Sequence, residues 1–434
     1  MPFSESSPTV GFFTLGCRVN HYESEALLEE LRLLGAKELD FSEVCDVYVI
    51  NTCAVTEESV RKSRQMVRSA RKRNPNAFIA VCGCASQLDA QNLAEATGAD
   101  FVCGTRNKLK VIGAIKDFLE EREPEKTVVS EEPCGDIEKM SISSFGRTRA
   151  YIKIQDGCNG KCSYCVIPHV RGRSVSKKAE DVLSEVKKIA ENGIKEIVFT
   201  GIETSDYSFG LAELVEAAAE IDGIERIRLG SLEPSTITPE FVEKLFKTEK
   251  FMPHLHLSLQ SGSSRILAKM KRRYNADMIM KNVDHLKKAV PGIQLSADII
   301  VGFPGETDED FEETLATAKR IGLLHAHIFT YSPRPGTEAA QMKDQLPKAV
   351  KSERAARLSE ACEKIRDGIL EDIISRGEPV QVLAEQVQNG IVSGHAPYFA
   401  EVKFPLADLE VNRGDLISVV PERIEDGVIF GKAL

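Results

Sequence analysis

Hydrophobic runs alternate with amphipathic stretches along most of the chain. Val10 to Leu15 reads as a buried strand, followed by Gly16-Cys17 and a helix over about Tyr22 to Leu34 with Leu27, Leu28, Leu31 and Leu34 on one face. Val47 to Ile50 and Phe78 to Val81 repeat the pattern, the first leading to Asn51-Thr52-Cys53 and a helix over roughly Glu57 to Arg73, the second to Gly83-Cys84. Strands alternating with helices predict an α/β architecture with a doubly wound parallel sheet. A second series has strands near Tyr151–Gln155, Glu196–Thr200, Arg226–Gly230, His256–Leu259, Leu295–Val301 and His325–Thr330. Such an order predicts a partial (β/α)6 TIM-like barrel. A charged helical stretch from Lys348 to Ile374 then leads to short strands near Val380–Leu383, Ala400–Phe404, Leu416–Val420 and Val428–Phe430, which predict a small C-terminal β-barrel. The expected division is residues 1–121, a polar linker over 122–147, the partial barrel over 148–374 and the small barrel over 375–434.

The 434 residues match roughly three domains at about 150 residues each. The polar, acidic stretch Met1 to Thr9 is not expected to be a signal peptide, and no apolar run approaches the ~20 residues of a membrane helix. A cytoplasmic protein with no membrane partner is the expectation. The net charge of −10 excludes a wholly basic nucleic-acid coat and leaves room for a local basic patch. Eleven cysteines without a secretory signal point to metal or redox chemistry rather than disulfides.

The sharpest signal is Cys158-Asn-Gly-Lys-Cys162-Ser-Tyr-Cys165, directly after the first strand of the second series. Three thiolates can hold three irons of a 4Fe–4S cluster and leave the fourth open. An open iron can chelate the amino and carboxylate groups of S-adenosylmethionine, whose reductive cleavage yields a deoxyadenosyl radical. The competing readings are a zinc site, for which only His169 offers a fourth ligand nearby, and cysteines of the core. Gly201 and Glu203, Ser231 and Glu233, and Gln260 and Ser261 follow later strands at the rim where barrel active sites sit, as do Gly302 to Glu306 and Tyr331 to Arg334. Glycines there admit a ligand to the backbone, and Glu, Ser and Gln can hydrogen-bond ribose hydroxyls or the methionyl amine, though each such loop alone is equally a turn.

Cys17, Cys53 and Cys84 all follow strands of the first sheet, so one sheet edge gathers them despite their separation in sequence. Cys103, at a similar strand end, competes as a ligand; Cys45, Cys82, Cys134 and Cys362 are expected in the core. Arg61, Arg64, Arg68 and Arg71 share one helix face, and Arg265, Lys269, Lys271, Arg272 and Arg273 form a second basic cluster. Each is either a phosphate-contacting surface or an ordinary solvated face.

At these residues the chain resembles the radical S-adenosylmethionine methylthiotransferases, and within them the branch acting on N6-threonylcarbamoyladenosine of tRNA. The carrying segments are Thr14-Leu-Gly-Cys17-Arg-Val-Asn20 on through Glu25, Val49-Ile-Asn-Thr-Cys53, Cys82-Gly-Cys84-Ala-Ser-Gln87, Gln155 through Gly172, Leu257 to Gly262 and Ile300 to Thr307. The resemblance implies that Cys17, Cys53 and Cys84 ligate an auxiliary 4Fe–4S cluster and Cys158, Cys162 and Cys165 the radical cluster. It implies two uses of S-adenosylmethionine, one to methylate sulfur held at the auxiliary cluster and one to make the radical that takes the adenine C2 hydrogen. It further implies a TRAM-like C-terminal barrel, a tRNA anticodon stem-loop as partner and a reductant such as flavodoxin or ferredoxin, with the sulfur donor unassigned. Two departures stand out: Cys82 beside Cys84, where threonine is commoner, and the acidic C-terminal segment. Rival readings are a methylthiotransferase acting on isopentenyl-adenosine or on a ribosomal-protein aspartate, and a non-catalytic iron–sulfur electron carrier.

Overall fold

The computed structural model describes residues 7–120, 127–129, 131–407 and 409–434. Six parallel strands open the chain: β1 (Thr9–Thr14), β2 (Lys37–Leu39), β3 (Val47–Thr52), β4 (Phe78–Gly83), β5 (Phe101–Cys103) and β6 (Thr127–Val129), in the spatial order β2-β1-β3-β4-β5-β6. All six residues of β3 and of β4 are buried, as a parallel sheet covered on both faces requires. Helix α1 (Arg18–Leu33) packs Leu27, Leu28 and Leu31 inward. Helix α2 (Glu57–Arg73) starts where the Thr56 hydroxyl accepts the Ser59 N–H at 3.1 Å; acidic residues fill its first turn and basic ones its last, matching the helix dipole.

The expected linker 122–147 is more than a tether over its described part, residues 121–126 and 130 lying outside the described residues. Thr127–Val129 pairs with β5, and Met140, Ile142 and Phe145 are buried. Their backbone is satisfied too: Glu185 accepts the Ile142 N–H and Glu29 the Ser143 N–H, both at 2.7 Å. Isolated apolar anchors in a polar stretch carry no periodicity, which is why the pattern reads as loop.

The central unit is the expected open barrel. Parallel strands Arg149–Lys153, Glu196–Thr200, Arg226–Leu229 continued by Ser231–Leu232, His254–Gln260, Gln294–Val301 and Leu323–Thr330 follow one another in space. Gly230 interrupts the third strand, its N–H donating to Phe199 O at 2.8 Å. The 29-residue helix Lys348–Arg376 leads to a closed barrel of five strands rather than four. The strand absent from the sequence reading is Ile391–His395, a short run broken by Gly394, where a Cβ would stand 1.9 Å from Leu383 O. This barrel is fixed to the partial barrel by one buried carboxylate. Glu196 faces Arg149, Arg226 and Arg228, and the last two donate to carbonyls of Gln381, His395, Ala396 and Pro397.

Candidate active site

The first site grows from the C-terminal edge of the parallel sheet. Cys17 caps the start of α1, Cys53 follows β3, and Cys84 opens the short helix α3 (Cys84–Leu88) after β4. Gly16 lies at φ +99°, and a Cβ there would stand 2.9 Å from Cys53 Sγ, so glycine is what lets the Cys17 loop fold over Cys53. Cys17 is exposed while Cys53 and Cys84 are buried. Burial pushes the Cys53 thiol up to about 11, reinforced by Cys84 and Cys17 as neighbours. A metal bound there would have to displace protons.

Cys82 and Cys103 lie elsewhere. Both pack in the core beside Leu27, Val49 and Ile115, whereas Cys84 packs with Ala54, Ala85 and Val170 at the sheet edge. Of the other cysteines, Cys45 and Cys362 are buried, but Cys134 is exposed, contrary to the core expectation. It follows Pro133 in a stretch with too few apolar neighbours to bury it.

A buried guanidinium backs the first site. Arg171 Nε points at Cys84 Sγ at 3.4 Å, Nη1 reaches Glu23 and Asp156 at 3.0 Å each, and Nη2 donates to Asn20 Oδ1 at 2.5 Å. Lys108 and Lys153 also hold Glu23, and Arg106 lies 3.8 Å from Asp156. Four cations thus surround two carboxylates; burial still pushes the Cys84 thiol up, and Arg171 and Lys108 offset part of that rise. Nothing in the sequence marks Arg171 as this hub, because a lone arginine in a loop carries no signal of burial.

The second site is one loop. Cys158 Sγ accepts the Gly160 N–H at 3.2 Å, Cys165 Sγ the Ile167 N–H at 3.4 Å, and Cys162 Sγ a hydrogen bond from Arg272 Nη1 at 3.2 Å. Burial pushes the Cys158 and Cys165 thiols up to about 11 and about 12. Arg272 was expected on a basic surface; instead it is buried, 4.9 Å over the Tyr274 ring and 3.6 Å from Glu233. Its cluster mates Arg265 and Lys271 pair with Asp310 and Glu338. That cluster is therefore not one basic face.

The three cysteines of this loop line a cavity of about 300 Å³ with Glu203, Ser258, Gln260 and Asp298. Burial, with Glu233 adding repulsion, pushes the Glu203 carboxyl up to about 7, and among the described residues its Oε1 has no partner. Gln260 lines the cavity at φ +64°, a conformation that non-glycine residues keep only when the surroundings enforce it. Gly201 is backbone support: Gln155 Oε1 accepts the Ile202 and Glu203 N–H groups at 2.9 Å, and a Cβ on Gly201 would meet that oxygen at 2.7 Å. Ser231 accepts from the Thr204 hydroxyl through its carbonyl at 2.6 Å. Ser261 is fully buried against Thr314 and the Ser263 N–H and does not line the cavity.

Among the described residues no three His, Cys, Asp or Glu side chains close around a single metal ion. A four-iron cluster places each thiolate on a different iron, so two open sets of three thiols suit it better than mononuclear zinc. The two sites also meet. Val55 and Thr56, just beyond Cys53, line the cavity of the second site, and Arg334 of that cavity donates to Ala54 O.

Residues 152–318 match the radical SAM superfamily, and residues 9–104 match the uncharacterized protein family UPF0004. The threonylcarbamoyladenosine tRNA methylthiotransferase MtaB of Bacillus subtilis is 38% identical over 91% of this chain and 90% of its own. A tRNA-2-methylthio-N(6)-dimethylallyladenosine synthase of Thermoanaerobacter sp. is 37% identical over 86% of this chain and 81% of its own. In fold, the chain resembles the radical S-adenosylmethionine methyltransferase TsrM from Kitasatospora setae, with TM-score 0.58 and 17% identity over 77% of each chain. With that degree of identity along nearly its whole length, the chain belongs to the radical S-adenosylmethionine methylthiotransferase family.

Proposed function

We propose that this enzyme adds a methylthio group at C2 of N6-threonylcarbamoyladenosine beside the anticodon of tRNA. The observation that carries the reading is the shared cavity: the loop after Cys53 walls the space lined by Cys158, Cys162 and Cys165. One bound nucleoside would then face both a sulfur site and a radical site, the proximity that a two-centre transfer requires. Two 4Fe–4S clusters and S-adenosylmethionine supply the sulfur and the hydrogen-abstracting radical. Cys17, Cys53 and Cys84 would hold the first cluster and Cys158, Cys162 and Cys165 the second. Glu203 and Gln260 would bind the amine and ribose of S-adenosylmethionine, with Gly201 leaving room for the Gln155 oxygen that holds the Glu203 N–H and Glu233 raising the Glu203 carboxyl. The arginines Arg171 and Arg272 hold positive charge at one sulfur of each site.

A groove of about 880 Å³ lined by Arg61, Arg64, Gln65 and Arg68 shares Thr56, Thr330 and Ser332 with that cavity and offers a path for the RNA backbone. Arg71 belongs to the fold instead, paired with Asp100 and capping the Ala77 and Gly98 carbonyls. Among the described residues no helix is long and apolar enough to cross a membrane. A cytoplasmic location and a flavodoxin- or ferredoxin-type reductant go with this reading.

The test is mass spectrometry of nucleosides from tRNA of a deletion strain. The reading predicts loss of the methylthio derivative of threonylcarbamoyladenosine with accumulation of its parent. Persistence of that derivative, with loss of methylthio-isopentenyl-adenosine or of ribosomal aspartate thiomethylation, overturns it.

A further inference from the structure

Beneath the shared cavity the barrel lumen is unusually polar. Asp298 pairs in register with His327, and His256, whose register partner is Ser296, leans across to Asp298, so side chains from three neighbouring strands form one polar layer. His256 Nε2 lies 3.2 Å from Asp298 Oδ1, and the His256 and His327 rings are 5.4 Å apart. Asp298 also lines the shared cavity, so this layer is its floor. Below it lies a second space of about 340 Å³, lined by His256 and His327 and by Arg18 from the N-terminal unit.

Arg18 directly follows Cys17 and reaches the lumen at the open side of the barrel, 5.7 Å over the Tyr151 ring. It is half-buried, yet among the described residues it makes no hydrogen bond and no ion pair. Asp298 attracts the guanidinium from a distance but has its oxygen 3.2 Å from His256 Nε2, and Glu363 at the edge of the same space makes no hydrogen bond to Arg18 among the described residues. The other arginines near the two sites are committed: Arg171, Arg272 and Arg334 all hold protein partners. A guanidinium without a hydrogen-bond partner in the space directly beneath a substrate cavity suits a planar anion that reaches down past Asp298 from the substrate.

We infer that Arg18, with His256 and His327 beside it, forms a subsite for the carboxylate of the threonylcarbamoyl substituent. The inference rests on the substrate reading above and names the group by which that substrate is told from a nucleoside with an apolar N6 chain. An apolar chain would leave the guanidinium desolvated without a partner, which costs binding. Through Cys17, the same residue ties substrate recognition to the sulfur site. An RNA phosphate offers similar chemistry, and the experiment separates the two.

Equilibrium binding to the holoenzyme is measured by fluorescence anisotropy for three anticodon stem-loop RNAs. They carry threonylcarbamoyladenosine, its carboxamide analogue, or unmodified adenosine, and iron content is checked for every variant. Wild type should prefer the carboxylate RNA over the carboxamide by about tenfold to a hundredfold, the range of a charge-assisted bidentate contact. Arg18→Gln should lose that preference, Arg18→Lys should keep part of it, and unmodified RNA should bind wild type and Arg18→Gln alike. Wild-type indifference to the carboxamide, with threonylcarbamoyl RNA still thiomethylated, overturns the subsite and spares the substrate reading. Equal weakening of all three RNAs by Arg18→Gln assigns the arginine to phosphate and also overturns it. Failure of wild type to thiomethylate the threonylcarbamoyl RNA removes the substrate reading and the subsite together.

Discussion

The two cysteine sites achieve one donor set by opposite routes. Cys158, Cys162 and Cys165 come from a single loop, with sulfurs met by N–H groups of that same loop and by Arg272. Cys17, Cys53 and Cys84 come from three strand ends and depend on sheet register, on Gly16 and Gly83, and on the buried Arg171 hub. A loop site is robust to distant change. A site assembled across a sheet is only as sound as the packing behind it.

The largest contrast lies in iron. Anaerobically reconstituted wild type should bind about eight irons, and alanine at Cys158, Cys162 and Cys165 should leave about four. Alanine at Cys17, Cys53 and Cys84 should also leave about four, and Cys103→Ala should keep about eight. A wild-type count near four would remove the sheet-edge site from the account.

Next in size is the arginine behind each site. Arg171→Met removes the central cation from buried Glu23 and Asp156, which keep Lys108, Lys153 and Arg106, and by losing several charge-assisted hydrogen bonds at once should cost about 3 kcal/mol in denaturant unfolding of the cofactor-free protein. Arg272→Gln keeps a donor near Cys162 and loses mainly its stacking on Tyr274, for a cost of roughly 1–2 kcal/mol. Equal costs would erase the distinction between the two sites.

That asymmetry also governs what the sequence reveals. The α/β alternation, the open barrel and the closed C-terminal barrel follow from strand periodicity, and the loop triple from spacing within eight residues. The sheet-edge triple needs the further rule that loops after parallel strands converge. Neither route finds Arg171, Arg272 or Gln155, because burial of a polar side chain depends on partners distant in sequence. Arg171 meets Glu23 from 148 residues away. Ser261 shows the converse error: it stands at the rim in sequence, but the turn directs its hydroxyl to Thr314. Ile391–His395 escaped because Gly394 and its short length mimic a turn.

A buried hub that serves no sulfur supplies a control of intermediate size. Arg228, Arg149 and Arg226 outweigh burial and hold Glu196 down at about 2. Native protein therefore binds fewer protons there than unfolded chain, whose glutamates titrate near ~4.3. The stabilisation is whole above that value and disappears as pH falls through about 2. Glu196→Gln should lose roughly 2–3 kcal/mol at neutral pH and show a flatter acid-unfolding profile, with iron content unchanged. Parallel acid profiles for mutant and wild type would contradict the assignment.

The smallest effect concerns the groove. Among the described residues Arg61 pairs only with exposed Glu58, and Arg64 Nε has no partner. Reversing both to Glu should weaken anticodon stem-loop binding and lower the salt slope by about 1–2. An unchanged slope returns this helix face to ordinary solvation.

The central claim is that the loop site makes the radical and the sheet-edge site delivers sulfur. It is tested most directly by assaying both products in the Cys82→Ala/Cys84→Ala double mutant under reducing conditions; losing Cys82 as well excludes its thiol as a substitute ligand. The account predicts continued formation of deoxyadenosine and no methylthio product on tRNA. Normal thiomethylation by that mutant would contradict it.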